Sequence, residues 1–383
     1  MIPGPAIWAA SLIGCVALIP ILIGPIIIGV LVDFGGLTDT QAGVTSAYGA
    51  IGTVTVALIC ALRMHRLPLR RLATMGLGAA IVTNVVTALS YENLALFYSL
   101  RMLNALGEGA AYAAVMSSFA RKPESERCYG LFMMLQFGVA GVFLWALPTY
   151  LPQMGVRAMY LGFAGAQLLV LPCVRCLPAD AADAAGITIR GAEWRLLLAV
   201  PALAGLVALC FSEASNVGTD AFLERIAVHA GLSDAQVGTS LGLASILGMP
   251  GAFGILLLGS RLGHALPALV GFTVGAGSLL GILSADSYAG FLAFTCIHSV
   301  AWAFVTPYVQ SVLADLDPGG AVVTAGGIAS GAGAGIGPAA TATLVSANSY
   351  EGVLTVGLGA FAIAAVAIVL ASSGLKRASR AEH

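Results

Sequence analysis

Long uninterrupted runs of apolar residues, separated by short clusters of charged and turn-forming residues, dominate this chain. Most runs hold about 20 residues, the length that a helix needs to cross the hydrocarbon core of a bilayer. Backbone groups inside lipid must pair within the protein, and the runs lack the short alternating segments of barrel strands. The pattern therefore predicts twelve helical spans. They cover residues 7–32, 40–62, 72–90, 95–119, 129–150, 157–173, 195–217, 237–259, 265–284, 288–313, 321–345 and 350–372.

Composition narrows the class of protein further. Hydrophobic residues make up 59% of the chain and charged residues 9%, and the mean hydropathy is +0.95. A soluble domain carries roughly 25% charged residues. The net charge of −1 gives no basic surface, so no nucleic-acid partner is expected. The five histidines are dispersed, without a metal-ligand spacing or a nucleophile motif, so we predict neither an enzyme nor a metal or cofactor.

Lysine and arginine positions predict the orientation, because they concentrate in cytoplasmic loops. With both termini in the cytoplasm, only Arg157 and Arg225 face outward, and Arg101 lies inside a span. We therefore expect a multi-pass protein of the plasma membrane, in a bacterium the inner membrane. The inward-facing residues are Arg63, Arg66, Arg70, Arg71, Arg121, Lys122, Arg127, Arg175, Arg190, Arg195, Arg261, Lys376, Arg377 and Arg380.

An internal repeat divides the chain. Residues 36–43 read GLTDTQAG and residues 231–238 read GLSDAQVG, 195 positions later. In each copy a Thr or Ser before the Asp is a plausible helix N-cap for the following span. A second pair and a weaker third pair follow in the same order at nearly the same offset, so we predict two homologous halves. The predicted parts are a bundle over 1–173, a cytoplasmic linker over 174–194, a bundle over 195–375 and a tail over 376–383.

Two parallel six-helix halves are the arrangement of the major facilitator superfamily, which the chain resembles over nearly its whole length. The loop at 62–76 occupies the family's signature position and keeps its basic residues but lacks the Asp. In the second half, residues 259–263 (GSRLG) keep the Gly–Arg–Gly frame. The resemblance implies an all-α integral membrane protein with twelve transmembrane helices in two pseudo-symmetric six-helix bundles. It also implies a secondary transporter working by alternating access on a solute bound at midplane.

Span four carries a polar stripe of Arg101, Asn104, Glu108 and Tyr112, whose spacings of 3, 4 and 4 place them on one helix face. Ionisable residues inside a membrane are costly and mark functional sites. The segment RMLNALGEG (101–109) resembles a signature of proton-coupled organic-anion symporters. That resemblance implies that Arg101 and Glu108 link substrate and proton binding. The alternative is a structural ion pair that fixes span four to a neighbour.

Two further spans carry candidate residues. Glu213 in span seven is a candidate proton or cation site, and His298 and Trp302 in span ten are candidate ligand contacts. The repeat offset aligns His298 with Asn104 and Trp302 with Glu108. Structural packing is the alternative for each. The glycine-rich stretch 326–338 in span eleven predicts close helix packing and not a phosphate loop.

These patterns together predict proton-coupled movement of a small organic anion, a carboxylate. Substrate would be bound by Arg101, Asn104, Tyr112, His298 and Trp302, and protons by Glu108 and Glu213. In the expected cycle, protonation of Glu108 releases Arg101 for the anion. The partners would be the solute, protons and membrane lipid, with the protein a monomer. The rival interpretation is proton-driven efflux of an apolar drug or metabolite, which the scarcity of charge and Trp302 suit.

Overall fold

The computed structural model describes residues 4–63, 67–120, 125–179, 197–258, 263–316, 321–345 and 349–381. Within these residues the chain forms thirteen α-helices, one 3₁₀ segment and no extended strand. The helices are α1 (Pro5–Leu22), α2 (Gly24–Asp33), α3 (Asp39–Arg63), α4 (Leu69–Ser90), α5 (Leu94–Ala120), α6 (Ser125–Val170), α7 (Val200–Asp220), α8 (Leu223–His229), α9 (Asp234–Leu258), α10 (Ala265–Leu283), α11 (Tyr288–Leu316), α12 (Ala321–Leu344) and α13 (Glu351–Ala381). The 3₁₀ segment is Leu171–Cys176.

The all-helical prediction is confirmed over the described residues. Eight stretches in them are long and apolar enough to cross a membrane. They are Pro5–Leu22, Asp39–Cys60, Leu69–Ser90, Met154–Cys176, Val200–His229, Ala265–Leu283, Tyr288–Leu316 and Glu351–Gly374. The full set of twelve spans stays a prediction.

Two helix boundaries differ from the expected spans. The first predicted span is two helices, because Pro25 near the start of α2 lacks an N–H and its ring clashes with the preceding turn. The fifth and sixth spans lie in one long element, α6, interrupted at Gly155 with φ 70° and ψ 178°. That left-handed conformation favours glycine, so one residue separates the two helical parts of α6.

The chain divides into two compact units, residues 1–188 and 189–383, called unit 1 and unit 2 below. In unit 1, α5 packs against α3 and α4, and α1 packs against α6. A Cβ added to Gly76 of α4 would lie 2.5 Å from the carbonyl oxygen of Gly107 in α5. The small residues therefore let these two backbones approach closely.

Unit 2 is organised around α7, which packs against α12 and α13, while α11 packs against α9 and α10. Gly333 and Gly337 of α12 press on the backbone of α7 at Cys210 and Ala214, where an added Cβ would overlap the carbonyl oxygens. The predicted role of the glycine-rich stretch in close packing is confirmed.

The repeated octapeptides begin helices in the same way. The Thr38 hydroxyl accepts from the backbone N–H of Gln41 at 3.2 Å, and the Gln41 side chain accepts from the backbone N–H of Thr38 at 3.0 Å. Ser233 and Gln236 form the same pair of bonds at 3.4 and 3.0 Å. The predicted N-caps are confirmed, and each is a reciprocal capping box.

The glycines that open the two octapeptides also match. Gly36 has φ 69° and Gly231 has φ 80°, and each is followed directly by the leucine that leads to the cap. A side chain at either position would be strained in this left-handed conformation. The repeat therefore extends from the sequence to the backbone.

Several sequence predictions lie outside the described residues. The predicted linker is described only up to residue 179, and the signature loops lack residues 64–66 and 259–262. The basic residues concerned are Arg66, Arg121, Lys122, Arg190, Arg195 and Arg261. The predicted domain boundaries stay predictions.

Candidate functional site

A buried polar network joins α4, α5 and the second part of α6 in unit 1. Polar side chains are costly in an apolar bundle unless they find partners, so their bonds define the site. α5 brings its residues to the network from one face. The members are Thr83, Asn84, Arg101, Asn104, Glu108 and Gln167.

Glu108 lies at one end of a chain of side-chain amides. The Gln167 Nε2 group donates to Glu108 Oε1 at 2.9 Å, and Asn84 Nδ2 donates to Gln167 Oε1 at 3.0 Å. Exposed fractions are 5% for Glu108, 1% for Gln167 and zero for Asn84. A carboxyl removed from water is thus held by a neutral donor on α6, which is itself held by an amide on α4.

Arg101 is held by a different set of groups. Its Nη1 donates to Asn104 Oδ1 at 3.1 Å, and Asn104 Nδ2 donates to Thr83 Oγ1 at 3.1 Å and to the Ala80 carbonyl at 3.3 Å. The guanidinium carbon also lies 6.0 Å from the centre of the Tyr160 ring, within cation–π range. Arg101 is therefore oriented by an amide and an aromatic ring.

The expected ion pair between Arg101 and Glu108 is absent from the described residues, where Glu108 bonds to Gln167 instead. Seven residues of helix separate them by roughly 10.5 Å along the axis. Each side chain meets a closer partner, Asn104 one turn away or Gln167 on the facing helix. In this state no hydrogen bond joins Glu108 to Arg101, so protonation of Glu108 has no such bond to break.

Unit 2 contains a second buried carboxyl, Glu213 of α7. Its Oε1 accepts from Thr306 Oγ1 at 3.3 Å and from the Trp302 indole N–H at 3.4 Å, both on α11. These distances are at the long end for hydrogen bonds. Glu213 and Trp302 are thus brought together, although the sequence analysis predicted separate roles for them.

His298 of α11 makes one bond to α10. Its Nδ1 lies 3.1 Å from Ser278 Oγ, and the Ser278 hydroxyl donates to the Gly275 carbonyl at 2.7 Å. The opposite ring nitrogen, Nε2, is buried and has no hydrogen-bond partner in the described residues.

More buried polar atoms of unit 2 lack a partner within the part of the chain that the structure describes. Three belong to α7 with the spacing of one helix face: Ser212 Oγ, Asn216 Nδ2 and Thr219 Oγ1. Buried donors and acceptors are almost always satisfied, by protein, water or ligand. This face of α7 and His298 Nε2 therefore carry the unpaired buried polar atoms of unit 2 named here. No group of three His, Cys, Asp or Glu side chains suited to a metal occurs among the described residues.

Comparison with known families decides the class of protein. The sequence profile described as Major Facilitator Superfamily matches residues 9–338. The chain belongs to the Major Facilitator Superfamily. Membership makes it a multi-pass membrane transporter and not an enzyme. A comparison with the curated proteins gives no match.

Solved structures agree with the superfamily fold. A bacterial homolog of the human lysosomal transporter Spinster, in an inward-facing and unoccupied conformation, superposes with a TM-score of 0.71 at 14% identity, covering 98% of this chain and 96% of that one. The same protein in an inward-facing and occupied conformation gives a TM-score of 0.69 at 14% identity, with the same coverage. At this identity the likeness establishes the fold alone.

Within this superfamily fold, one predicted site residue lies away from the network. Tyr112 packs with its ring centre 6.0 Å from that of Phe132, in an apolar cluster of α1, α4, α5 and α6. Spacing placed it correctly on the polar face of α5. That face changes neighbours over eleven residues, and the role of Tyr112 in substrate binding stays a prediction.

Sequence reasoning missed four residues of the unit 1 site, which are Thr83, Asn84, Tyr160 and Gln167. None of them belongs to a stripe of ionisable residues, so no pattern marked them. The available signal was the cost of any lone amide in a membrane span, which implies a partner on another helix. Tyr160 also has a buried hydroxyl without a partner in the described residues, next to Arg101.

Proposed function

We propose that this superfamily member is a secondary active transporter that couples protons to the movement of a small organic anion bearing a carboxylate. The observation that carries the proposal is the state of Arg101. Its guanidinium lies part-buried in an apolar helix and, among the described residues, donates to one neutral amide oxygen. A charge in a membrane helix favours an anionic partner, and this one keeps most of its donors available.

A carboxylate fits this site better than other anions of similar size. The planar guanidinium presents paired N–H groups that match the two oxygens of a carboxylate. Asn104 fixes the orientation of that plane, and the unpaired Tyr160 hydroxyl offers a further donor beside it. Such preorganisation lowers the entropic cost of binding.

Proton coupling follows from the charge on Glu108. An ionised Glu108 on the same helix lowers the positive potential at Arg101, while a protonated Glu108 leaves it undiminished. Proton and anion therefore favour each other's binding, and this reciprocity is the thermodynamic requirement for symport. The coupling acts through space, so it needs no direct bond between the two side chains.

The residues of unit 2 supply the other contacts in this proposal. His298 Nε2 accepts a hydrogen bond from a polar group of the solute, and Trp302 provides an aromatic surface. Glu213, held by long bonds from Trp302 and Thr306, serves as a second proton acceptor.

Binding is tested with purified protein and a thermal-shift screen of small carboxylic acids. We expect a stabilising acid whose effect is lost in Arg101→Ala and weakened in Arg101→Lys, since lysine keeps the charge but not the paired donors. Arg157→Gln is the matched control, because Arg157 is exposed and bonds to the Ala88 carbonyl. An acid that stabilises Arg101→Ala as well as the parent protein would refute the assignment.

Coupling is tested in proteoliposomes with the acid so identified. One coupled proton supports about tenfold accumulation per unit of pH gradient. Glu108→Gln should keep solute exchange but lose this tenfold accumulation, because the amide cannot bind the proton. Full accumulation by Glu108→Gln would show that a group other than Glu108 binds the coupled proton.

Proton-driven efflux of an apolar drug is the second candidate. The observation favouring it is the Trp302–Glu213 contact, an aromatic ring beside a carboxyl in an apolar unit. Expression in cells lacking their own efflux pumps separates the two. Resistance that requires Trp302 would favour efflux over uptake of an anion.

We also propose twelve spans in two six-helix bundles, with both termini in the cytoplasm of a bacterial inner membrane. The eight apolar helices and the matching capped turns at 36–43 and 231–238 support this topology. Single cysteines at Thr40 and Ala235, in a cysteine-free background, should both react with an impermeant reagent from outside. Reaction of only one would contradict the parallel halves.

A further inference from the structure

A groove with a volume of about 770 Å³ runs along α4 and α5 in unit 1, and one of its lining residues, Thr83, also belongs to the polar network. Buried Gly76 and Gly107 form its floor, where the two backbones approach. Met75, Val82 and Leu103 stand on its rim with exposed fractions of 74%, 60% and 46%. In a membrane protein such exposed aliphatic side chains meet acyl chains.

The lining is polar only towards its two ends. Arg71 lies near one end, Thr83 lies at the other, and aliphatic residues and glycines line the wall between them. Twelve residues of α4 separate these two, which is roughly 18 Å of helix. Half of a typical hydrocarbon core is about 15 Å thick. The groove therefore has the length and polarity of a single leaflet, charged at the surface and apolar to the midplane.

Arg71 differs from its neighbour Arg70 in what it binds. Arg70 donates to the backbone carbonyls of Arg175 and Leu177 at 2.9 to 3.2 Å, so its guanidinium is used within the fold. Arg71 is exposed and has no hydrogen-bond partner among the described residues. Its charge is thus available at the mouth of the groove.

We propose that this groove binds one anionic phospholipid, with its phosphate on Arg71 and an acyl chain lying along α4 and α5 as far as Thr83. A guanidinium binds phosphate oxygens in pairs, and basic pockets between transmembrane helices hold anionic headgroups. The apolar floor, too narrow for a side chain at Gly76 and Gly107, accommodates the chain. This inference does not depend on which solute the protein carries.

The inner end of the groove links the lipid to the polar network. Thr83 lines the groove and also accepts from Asn104, the residue that orients Arg101. An acyl chain packed there restrains α4 against α5 at the point that fixes Arg101. The bound lipid should therefore tune solute affinity as well as stability.

The headgroup contact is tested by native mass spectrometry of the purified full chain titrated with phosphatidylglycerol or phosphatidylcholine. The parent protein should retain one phosphatidylglycerol in preference to phosphatidylcholine. Arg71→Gln should weaken phosphatidylglycerol binding about fivefold. Arg175→Gln, the same charge change at an exposed residue outside the groove, should leave it unchanged. Equal losses in the two variants, or no preference in the parent protein, would overturn the proposal.

The acyl-chain contact is tested with a second pair of variants. Val82→Trp fills the groove, whereas Val86→Trp places the same ring one turn further along α4, outside the lining. Both sites are exposed, so both variants should fold, which their thermal unfolding in detergent will verify. Only Val82→Trp should lose the retained lipid. Retention by Val82→Trp would show that the lipid does not lie in this groove.

Discussion

Units 1 and 2 have hydrogen bonds between side chains at equivalent positions of the repeat, but the residues that form these bonds differ. In unit 1 a hydroxyl of α4, Thr83, accepts from Asn104 of α5 at 3.1 Å. In unit 2 a hydroxyl of α10, Ser278, lies 3.1 Å from His298 of α11. Both hydroxyls donate to a carbonyl of their own helix. The offsets, 195 for 83 to 278 and 194 for 104 to 298, are those of the sequence repeat.

The two units differ in how their buried carboxyl groups are hydrogen-bonded. Glu108 is held at 2.9 Å by an amide that is itself held by another amide, with a guanidinium two turns away. Glu213 has only bonds of 3.3 and 3.4 Å, and its helix carries three unpaired polar atoms within the described part. At the offset that aligns Asn104 with His298, the repeat position of Arg101 is Thr295 in unit 2. Unit 1 thus holds its buried carboxyl by a short hydrogen bond, whereas unit 2 holds its buried carboxyl by two long ones.

The largest expected difference concerns stability. Gln167→Leu should cost about 3 kcal/mol of unfolding free energy, because it leaves both Glu108 and Asn84 without their partner. Ser278→Ala in unit 2 should cost about 1 kcal/mol, since only His298 loses a bond. Chemical unfolding in detergent measures both.

A double variant checks the cause of that difference. Gln167→Leu combined with Glu108→Leu should recover part of the loss, because removing both partners avoids an unpaired buried group. Strictly additive losses of unfolding free energy would show that Gln167 stabilises the protein by packing alone. Its hydrogen bonds would then not explain the larger loss expected in unit 1.

The next comparison sets the two carboxyls against each other in transport. Glu213→Gln should retain most of the accumulation, about tenfold per pH unit for one proton, that Glu108→Gln loses. The reason is that only Glu108 lies on the helix of Arg101, where its charge changes anion affinity. Proteoliposome uptake under a pH gradient measures this, and equal losses would make the two units equivalent proton sites.

The smallest expected effects are equal in the two units. Thr38→Ala and Ser233→Ala should each cost about 1 kcal/mol, because each removes one half of a capping box. Thermal unfolding provides the measurement. Clearly different losses of stability in the two variants would mean that the two turns contribute differently to folding despite their matching geometry.

The helical fold, the capped turns and the tight packing of α12 were predictable, because each rests on local sequence. Run length predicts a span, Thr38 and Ser233 predict caps, and glycines predict close approach. The break at Gly155 falls in the gap between the predicted spans 129–150 and 157–173. The split before Pro25 was not predicted, since proline is tolerated inside many membrane helices.

The site was predictable only along one helix. The spacing of Arg101, Asn104 and Glu108 placed them on a common face, as the structure has them. The partner of Asn104, Thr83, lies 21 residues away, and the partner of Glu108, Gln167, lies 59 residues away. Such contacts depend on which helices become neighbours. Helix periodicity predicts the helix face on which a side chain lies, but it does not predict which residues of other helices that side chain contacts.

The capping boxes bear on how the protein is made. Each of these two turns contains, within six residues, a glycine in the left-handed conformation and a reciprocal Thr–Gln or Ser–Gln capping box. A ribosome-bound chain can therefore close the first hairpin of either unit once two adjoining spans exist. Biogenesis of both units would then start from hairpins of the same design, before any long-range partner has been synthesised.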